Sequence, residues 1–278
     1  MQTQRFELKY LLSERTALAV RDFISSYLEL DEYCVSRPDL AYPIHSLYLD
    51  SRDLLTHQQT INGTKNRFKL RLRYYDDNPE TPVFFEIKRR TNNCILKQRG
   101  GVRREAVKWL LAGHLPEPEH LVSREPKHLV ALQRFNQLMS QLQAQPKAHV
   151  NYFREAWVSR KDNSVRVTVD RAMRCVPCFT ADLGTAMTGQ TLTFAKKLVL
   201  ELKFTNYFPS WFKEMVRVFG LMQGSAAKYS EGIMVAGESR FLRPCAGMEP
   251  VEPPAVEGAE SGCGDRMVRF EEKGHLIA

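Results

Sequence analysis

The chain has 278 residues, 43% of them hydrophobic, and a formal net charge of +8, which fits one large domain with a sizeable core. No stretch approaches the roughly 20 apolar residues of a spanning helix, and Met1 to Arg5 leads into an alternating segment rather than a signal-peptide core, so a cytoplasmic protein is expected. The basic balance points to an anionic partner, whether nucleic acid, a membrane surface or a phosphorylated small molecule, and does not choose among them.

At the N-terminus Phe6, Leu8 and Tyr10 alternate with Arg5, Glu7 and Lys9, the mark of a strand with two unlike faces. Ser13 can cap a helix whose apolar positions Val20, Phe23, Ile24, Tyr27 and Leu28 keep helical spacing. A strand over Ile44 to Leu49 comes next. In residues 67 to 74, Phe68, Leu70, Leu72 and Tyr74 face one way while Arg67, Lys69, Arg71 and Arg73 face the other. Four adjacent bases on one strand face repel unless solvent or an anion compensates them. Val83, Phe85 and Ile87 then alternate with Phe84, Glu86, Lys88 and Arg90, and past a short turn Lys97 and Arg99 share a face. Helices are expected over 104 to 113 and 126 to 143. Tyr152 and Arg154 share a strand face, and Arg166, Thr168 and Asp170 lie opposite Val165, Val167 and Val169. Leu198, Leu200, Leu202 and Phe204 alternate with Glu201 and Lys203, and a last helix runs from Ser210 to Met222 on the stripe Trp211, Phe212, Met215, Val216 and Phe219.

From about Ala246 the chain is rich in Glu, Pro and Gly and lacks periodicity, so residues 246–278 are expected to form a disordered acidic tail. The tail holds seven acids and three bases, which leaves +12 on residues 1–245. Six cysteines without a framework suit a reducing compartment. The single C-x-x-C, Cys175 to Cys178, has no second pair or histidine cluster to complete a zinc site. The seven histidines are scattered, and none is assigned a role.

Roughly eight strands are enough to close a barrel. Either the apolar faces form the interior with the bases in solvent, or the bases line the interior with the apolar faces beneath helices. Four amphipathic helices that need a partner surface favour the second arrangement. Nucleic acid is not expected as a partner, since the bases lack the exposed aromatic interleaving of a stacking platform.

Six segments in order carry a resemblance: Arg5 to Tyr10, Leu47 to Ser51, Lys69 to Tyr74, Phe84 to Lys88, Tyr152 to Arg154 and Leu200 to Lys203. Together they resemble the polyphosphate polymerase domain of the vacuolar transporter chaperone (VTC) family, in the triphosphate tunnel metalloenzyme superfamily. The resemblance spans about residues 4 to 235. It implies an α+β fold, an antiparallel eight-stranded β tunnel barrel with a basic interior, packed on the outside by α-helices, over residues 1–245.

By motif, Lys9 matches the lysine of an E-x-K element, Arg71 and Arg73 an R-x-R strand, Lys88 and Lys97 the lysines of the next two strands, and Arg154 and Arg166 a pair of phosphate-contacting arginines. Lys9, Arg71, Arg73, Lys88, Arg154 and Arg166 are thus the implied catalytic set. Glu7, Lys69, Lys97, Tyr152, Lys203, Lys228 and Ser230 are implied to bind substrate. Glu201 matches the carboxylate that holds a divalent metal, Mn2+ or Mg2+, with Glu7 and Glu86 as possible assistants. Arg5 stands where many triphosphatases of the superfamily have the first acid of E-x-E-x-K, which leans toward the polymerase branch.

The implied activity transfers the γ-phosphoryl of ATP to a growing inorganic polyphosphate chain. Two alternatives stay open: a triphosphatase that uses water as acceptor, and a module that binds polyphosphate or inositol phosphates without turnover. The phosphate-sensing domain and membrane helices of eukaryotic members are absent from these residues, so coupling to membrane translocation implies a separate membrane partner.

Overall fold

The structure is a computed structural model that describes residues 5–92, 94–160, 164–205 and 208–242. The tail expected from residue 246 lies outside the described residues. Among those described, ten strands form one antiparallel sheet: β1 (Arg5–Leu12), β2 (Glu29–Leu30), β3 (Tyr42–Asp50), β4 (Asn66–Tyr74), β5 (Val83–Thr91), β6 (Cys94–Val102), β7 (Gln145–Val158), β8 (Val165–Pro177), β9 (Thr191–Leu192) and β10 (Leu198–Thr205). Seven helices accompany them: α1 (Glu14–Ile24), α2 (Glu32–Val35), α3 (Leu55–Ile61), α4 (Val107–Leu111), α5 (Pro126–Leu142), α6 (Ser210–Val218) and α7 (Lys228–Ala236).

The sheet order is β2-β7-β3-β4-β5-β6-β1-β10-β8-β9, and β7 also pairs with β8. This departs from the expected eight-stranded barrel in two respects. The two-residue strands β2 and β9 are additional, too short to show any alternation. The seam between β6 and β1 is also only a single register pair, Arg5 with Ile95. Among the described residues the sheet is therefore not closed by continuous ladders.

Alternation decides which faces are dry. Leu70 and Leu72 on β4 and Phe85 and Ile87 on β5 pack against Leu110 of α4 and Leu132, Phe135 and Met139 of α5. Tyr10 on β1, Val167 and Val169 on β8, and Leu200 and Leu202 on β10 pack against Val20 and Ile24 of α1 and Phe212 and Met215 of α6. Each such side chain stabilises the fold by about 1.5–3 kcal/mol when fully buried, so these faces hold the helices on the sheet. The bases are thereby turned to the other face.

Gly100 permits the closest of these approaches, since a β-carbon there would lie 2.5 Å from Leu132 Cγ and 2.8 Å from the His128 carbonyl. Ser13 caps α1 as expected, its hydroxyl accepting the Thr16 amide at 3.1 Å. The expected helix over 104–113 is split into a 3-10 turn, Arg104–Ala106, followed by α4. The last expected helix ends at Val218, four residues early, with Gly220 at positive φ just beyond it.

Candidate functional site

On the polar faces, β1, β3, β4, β5, β6, β7, β8 and β10 converge with the segment entering α7 on one cavity of about 1240 Å³. Its lining carries twelve lysines and arginines against two carboxylates, Glu7 and Glu201. Thirteen of the fourteen site residues read from the sequence lie in that lining: Lys9, Arg71, Arg73, Lys88, Arg154, Arg166, Glu7, Lys69, Lys97, Tyr152, Lys203, Lys228 and Glu201. Ser230 is the exception, and it accepts a hydrogen bond from Lys69 Nζ at 3.1 Å.

Buried charges need partners, and most of these bases have one. Glu201, on β10, contacts Lys203 at 2.7 Å, Lys228 at 2.9 Å, Lys9 at 3.4 Å and Arg154 at 3.5 Å. Burial would raise its carboxyl, but Lys203, Lys228, Lys9 and Arg154 hold it well below the usual range. Glu7 contacts Lys9 and Lys88, each at 3.0 Å. Burial opposes ionisation there too, and Lys88 and Lys9 prevail to keep the carboxylate charged.

Three acids stand behind the lining, and two of them, Asp170 and Asp31, were not read as site residues. Asp170 forks Arg154 at 2.7 and 2.8 Å and meets Lys228 at 2.7 Å. Asp31 holds Arg166 at 2.8 Å. Glu86 lies between β4 and β6 and contacts Arg71 at 2.7 Å and Lys97 at 2.8 Å. Glu86, read as a possible metal assistant, is fully buried and is not part of the cavity lining. Its position directly opposite Arg71 and Arg99 in the strand registers points it at bases instead.

Lys69 is different. Its described partners are the Ser230 hydroxyl and the Tyr229 ring at 5.3 Å, with no carboxylate. Burial, reinforced by Lys9 and Lys88, depresses its ammonium to about 7. Burial likewise lowers Lys97 to about 7 and Lys203 to about 8, against the pull of Glu86 and Glu201 respectively. Lys69, Lys97 and Lys203 thus part with protons near neutrality, while, against burial, Glu7 and Glu201 hold Lys9 and Asp170 and Glu201 hold Lys228 above the usual range. Around the first three the site is short of negative charge, which is the electrostatic description of an anion site.

A family model described as the VTC domain matches residues 4–236. The chain belongs to the VTC domain family. Membership supports a polyphosphate-related function for the basic cavity. No curated protein matches the chain. Among solved structures, the PH1819 protein from Pyrococcus horikoshii OT3 is similar at 11% identity and a TM-score of 0.41, covering 83% of this chain and 98% of that one. The Schizosaccharomyces pombe Mediator head module is similar at 7% identity and a TM-score of 0.36, covering 78% and 92%. Neither likeness is strong enough to carry an argument.

Within this VTC domain, the described residues contain no group of three or more His, Cys, Asp or Glu side chains placed to hold a metal. Glu201 and Glu7 both contact Lys9 and both line the cavity. That pair fits a hard cation completed by phosphate oxygens and water, as Mg2+ sites commonly are, and does not fit an all-protein cage. No described helix is long and apolar enough to cross a membrane.

Tyr48, Arg67, Arg90 and Tyr229 also line the cavity without having been singled out as site residues. The polar faces of β4 and β5 already placed Arg67 and Arg90. For Tyr48 and Tyr229 the sequence carried no signal, because each is an aromatic among aromatics whose direction is set by the α7–β3 contact, where the two rings stack at 4.7 Å.

Proposed function

We propose that this VTC domain is a metal-dependent polyphosphate polymerase that transfers the γ-phosphoryl of ATP to a growing inorganic polyphosphate chain. The observation that carries the reading is the convergence of twelve bases on one cavity whose two lining carboxylates share Lys9. We also read the eight longer strands as a tunnel wall. In support, each of them contributes to the cavity lining, and β7 pairs with β8 as well as with β3.

A triphosphate enters such a cavity as the missing counter-ion. Arg71, Arg73, Arg154 and Arg166 offer forked donors to phosphate oxygens, and Lys9, Lys69, Lys88, Lys97, Lys203 and Lys228 offer mobile point charges. Anchored by Glu86, Asp170 and Asp31, the four arginines are oriented before the anion arrives. They stabilise charge on the transferred group without reorganising during the step. Glu201, with Glu7, would hold a divalent cation, Mn2+ or Mg2+, which when bound neutralises charge on the phosphate oxygens. The acceptor is a terminal phosphate oxygen of the growing chain, already ionised at neutral pH, so a polymerase reading needs no general base.

The test is incubation with ATP and Mn2+ or Mg2+. The expected result is release of ADP with accumulation of acid-labile chains. Release of orthophosphate alone would make the protein a triphosphatase, and tight binding without turnover would make it a phosphate-binding module.

A further inference from the structure

Glu86 contacts bases from two strands. Its Oε2 accepts from Arg71 Nε at 2.8 Å and lies 2.7 Å from Arg71 Nη2, and Arg73 Nε is 3.9 Å away. Its Oε1 lies 2.8 Å from Lys97 Nζ and 3.6 Å from Arg99 Nε. One carboxylate thus sits among four cations, three of which line the cavity while Glu86 itself does not. Arg71 is fixed most tightly. Its guanidinium has five N–H groups. Two of them point at Glu86, and a third donates to Tyr48 Oη at 3.1 Å. These partners hold the plane of the fork and leave two N–H groups for a phosphate.

We propose that Glu86 is a positioning residue that aims the Arg71 fork at the phosphate chain. This rests on the reading of the cavity as a polyphosphate site. The role differs from charge balance, and the two predict opposite signs. Were Glu86 only a counter-charge, its removal would make the cavity more positive and tighten anion binding. As a positioning residue, its removal frees the Arg71 fork and weakens binding although net positive charge rises.

The experiment measures tripolyphosphate binding by calorimetry at fixed ionic strength on full-length wild type, Glu86→Gln, Arg71→Ala and the double variant. Arg71→Ala is expected to weaken wild-type binding by about tenfold or more, the worth of charge-assisted hydrogen bonds. In the Glu86→Gln background the same change should weaken it by at most about threefold, since coupled residues are not additive. Glu86→Gln alone should weaken binding. Tighter binding by Glu86→Gln, or additive effects in the double variant, would overturn the proposal.

Should Glu86→Gln fail to fold, Tyr48→Phe removes the other anchor of the fork and should weaken binding in the same direction by less; unchanged or tighter binding would then overturn the proposal. Turnover is a separate arm: if the wild type binds tripolyphosphate without making chains, the polymerase reading fails while the coupling between Glu86 and Arg71 can still be read. If the wild type does not bind tripolyphosphate at all, the cavity reading fails, and the aiming role with it.

Discussion

Glu201 meets four bases, and its replacement separates binding from chemistry. Glu201→Gln removes one negative charge from among Lys9, Lys203, Lys228 and Arg154. Metal-free tripolyphosphate should therefore bind at least as tightly as to wild type, while metal-dependent turnover falls by about 10²-fold or more. Parallel calorimetry and chain-synthesis assays read the two effects; turnover at the wild-type rate would remove Glu201 from the mechanism.

Lys69 gives a pH signature. Its ammonium is held down to about 7 by burial and by Lys9 and Lys88, and a bound phosphate restores the charge. Binding above that pH must therefore take up protons, and tripolyphosphate affinity should fall as pH rises from about 7 to about 9. Calorimetry in two buffers of different ionisation enthalpy measures the uptake; none near pH 8 would contradict the depressed lysines. At this scale the bases were legible because alternation puts Lys69, Arg71 and Arg73 on one face whatever the fold. Their counter-ions were less so: Asp31 and Asp170 reach Arg166 and Arg154 from segments 135 and 16 residues away, and no local pattern encodes such pairings.

Among elements, the eight longer strands were legible and most of the short helices were not. β4 reads from its own sequence, since one face must be dry and the other charged. α7 offers no such stripe, because Lys228, Tyr229, Ser230 and Ile233 are all buried, the first two of them in the cavity lining. Only the family resemblance pointed to Lys228 and Ser230. What seats α7 is Gly232, where a β-carbon would lie 2.6 Å from the buried Cys175 Sγ. Gly232→Ala is expected to destabilise the fold by about 1–3 kcal/mol through overpacking. By pushing α7 off β8 it should also weaken tripolyphosphate binding, because Lys228 and the Lys69–Ser230 contact move with the helix. Thermal melting and calorimetry check both effects, and a variant that melts and binds like wild type would show that Cys175 yields instead.

For the whole molecule, the cavity sets function against stability. Lys69 and Lys97 near 7, and Lys203 near 8, all lie below the unfolded lysine value of about 10.4. Across that interval the unfolded chain binds more protons at these lysines than the folded one, while the buried thiols of Cys34 and Cys175, raised by burial, act in the opposite sense above about pH 8.5, so the stability of the ligand-free protein should rise with pH from about 7 to about 9. Affinity for the polyanion changes in the opposite sense over the same interval, since it is strongest where the lysines are charged.

The two trends have a common cause, the burial of the bases reinforced by their mutual repulsion, and a bound anion should cancel it. At about 100 times its dissociation constant tripolyphosphate stabilises the fold by about 2.7 kcal/mol. The resulting gain in melting temperature should be larger at about pH 7 than at about pH 9, and smaller in high salt, which weakens binding through its accessible charges. Melting curves over pH, with and without tripolyphosphate, test both trends together. If ligand-free stability fell from pH 7 to 9, or the ligand's effect grew over that range, the lysines of the cavity would be charged and neutralised within the protein already, and the anion would not be the partner they lack.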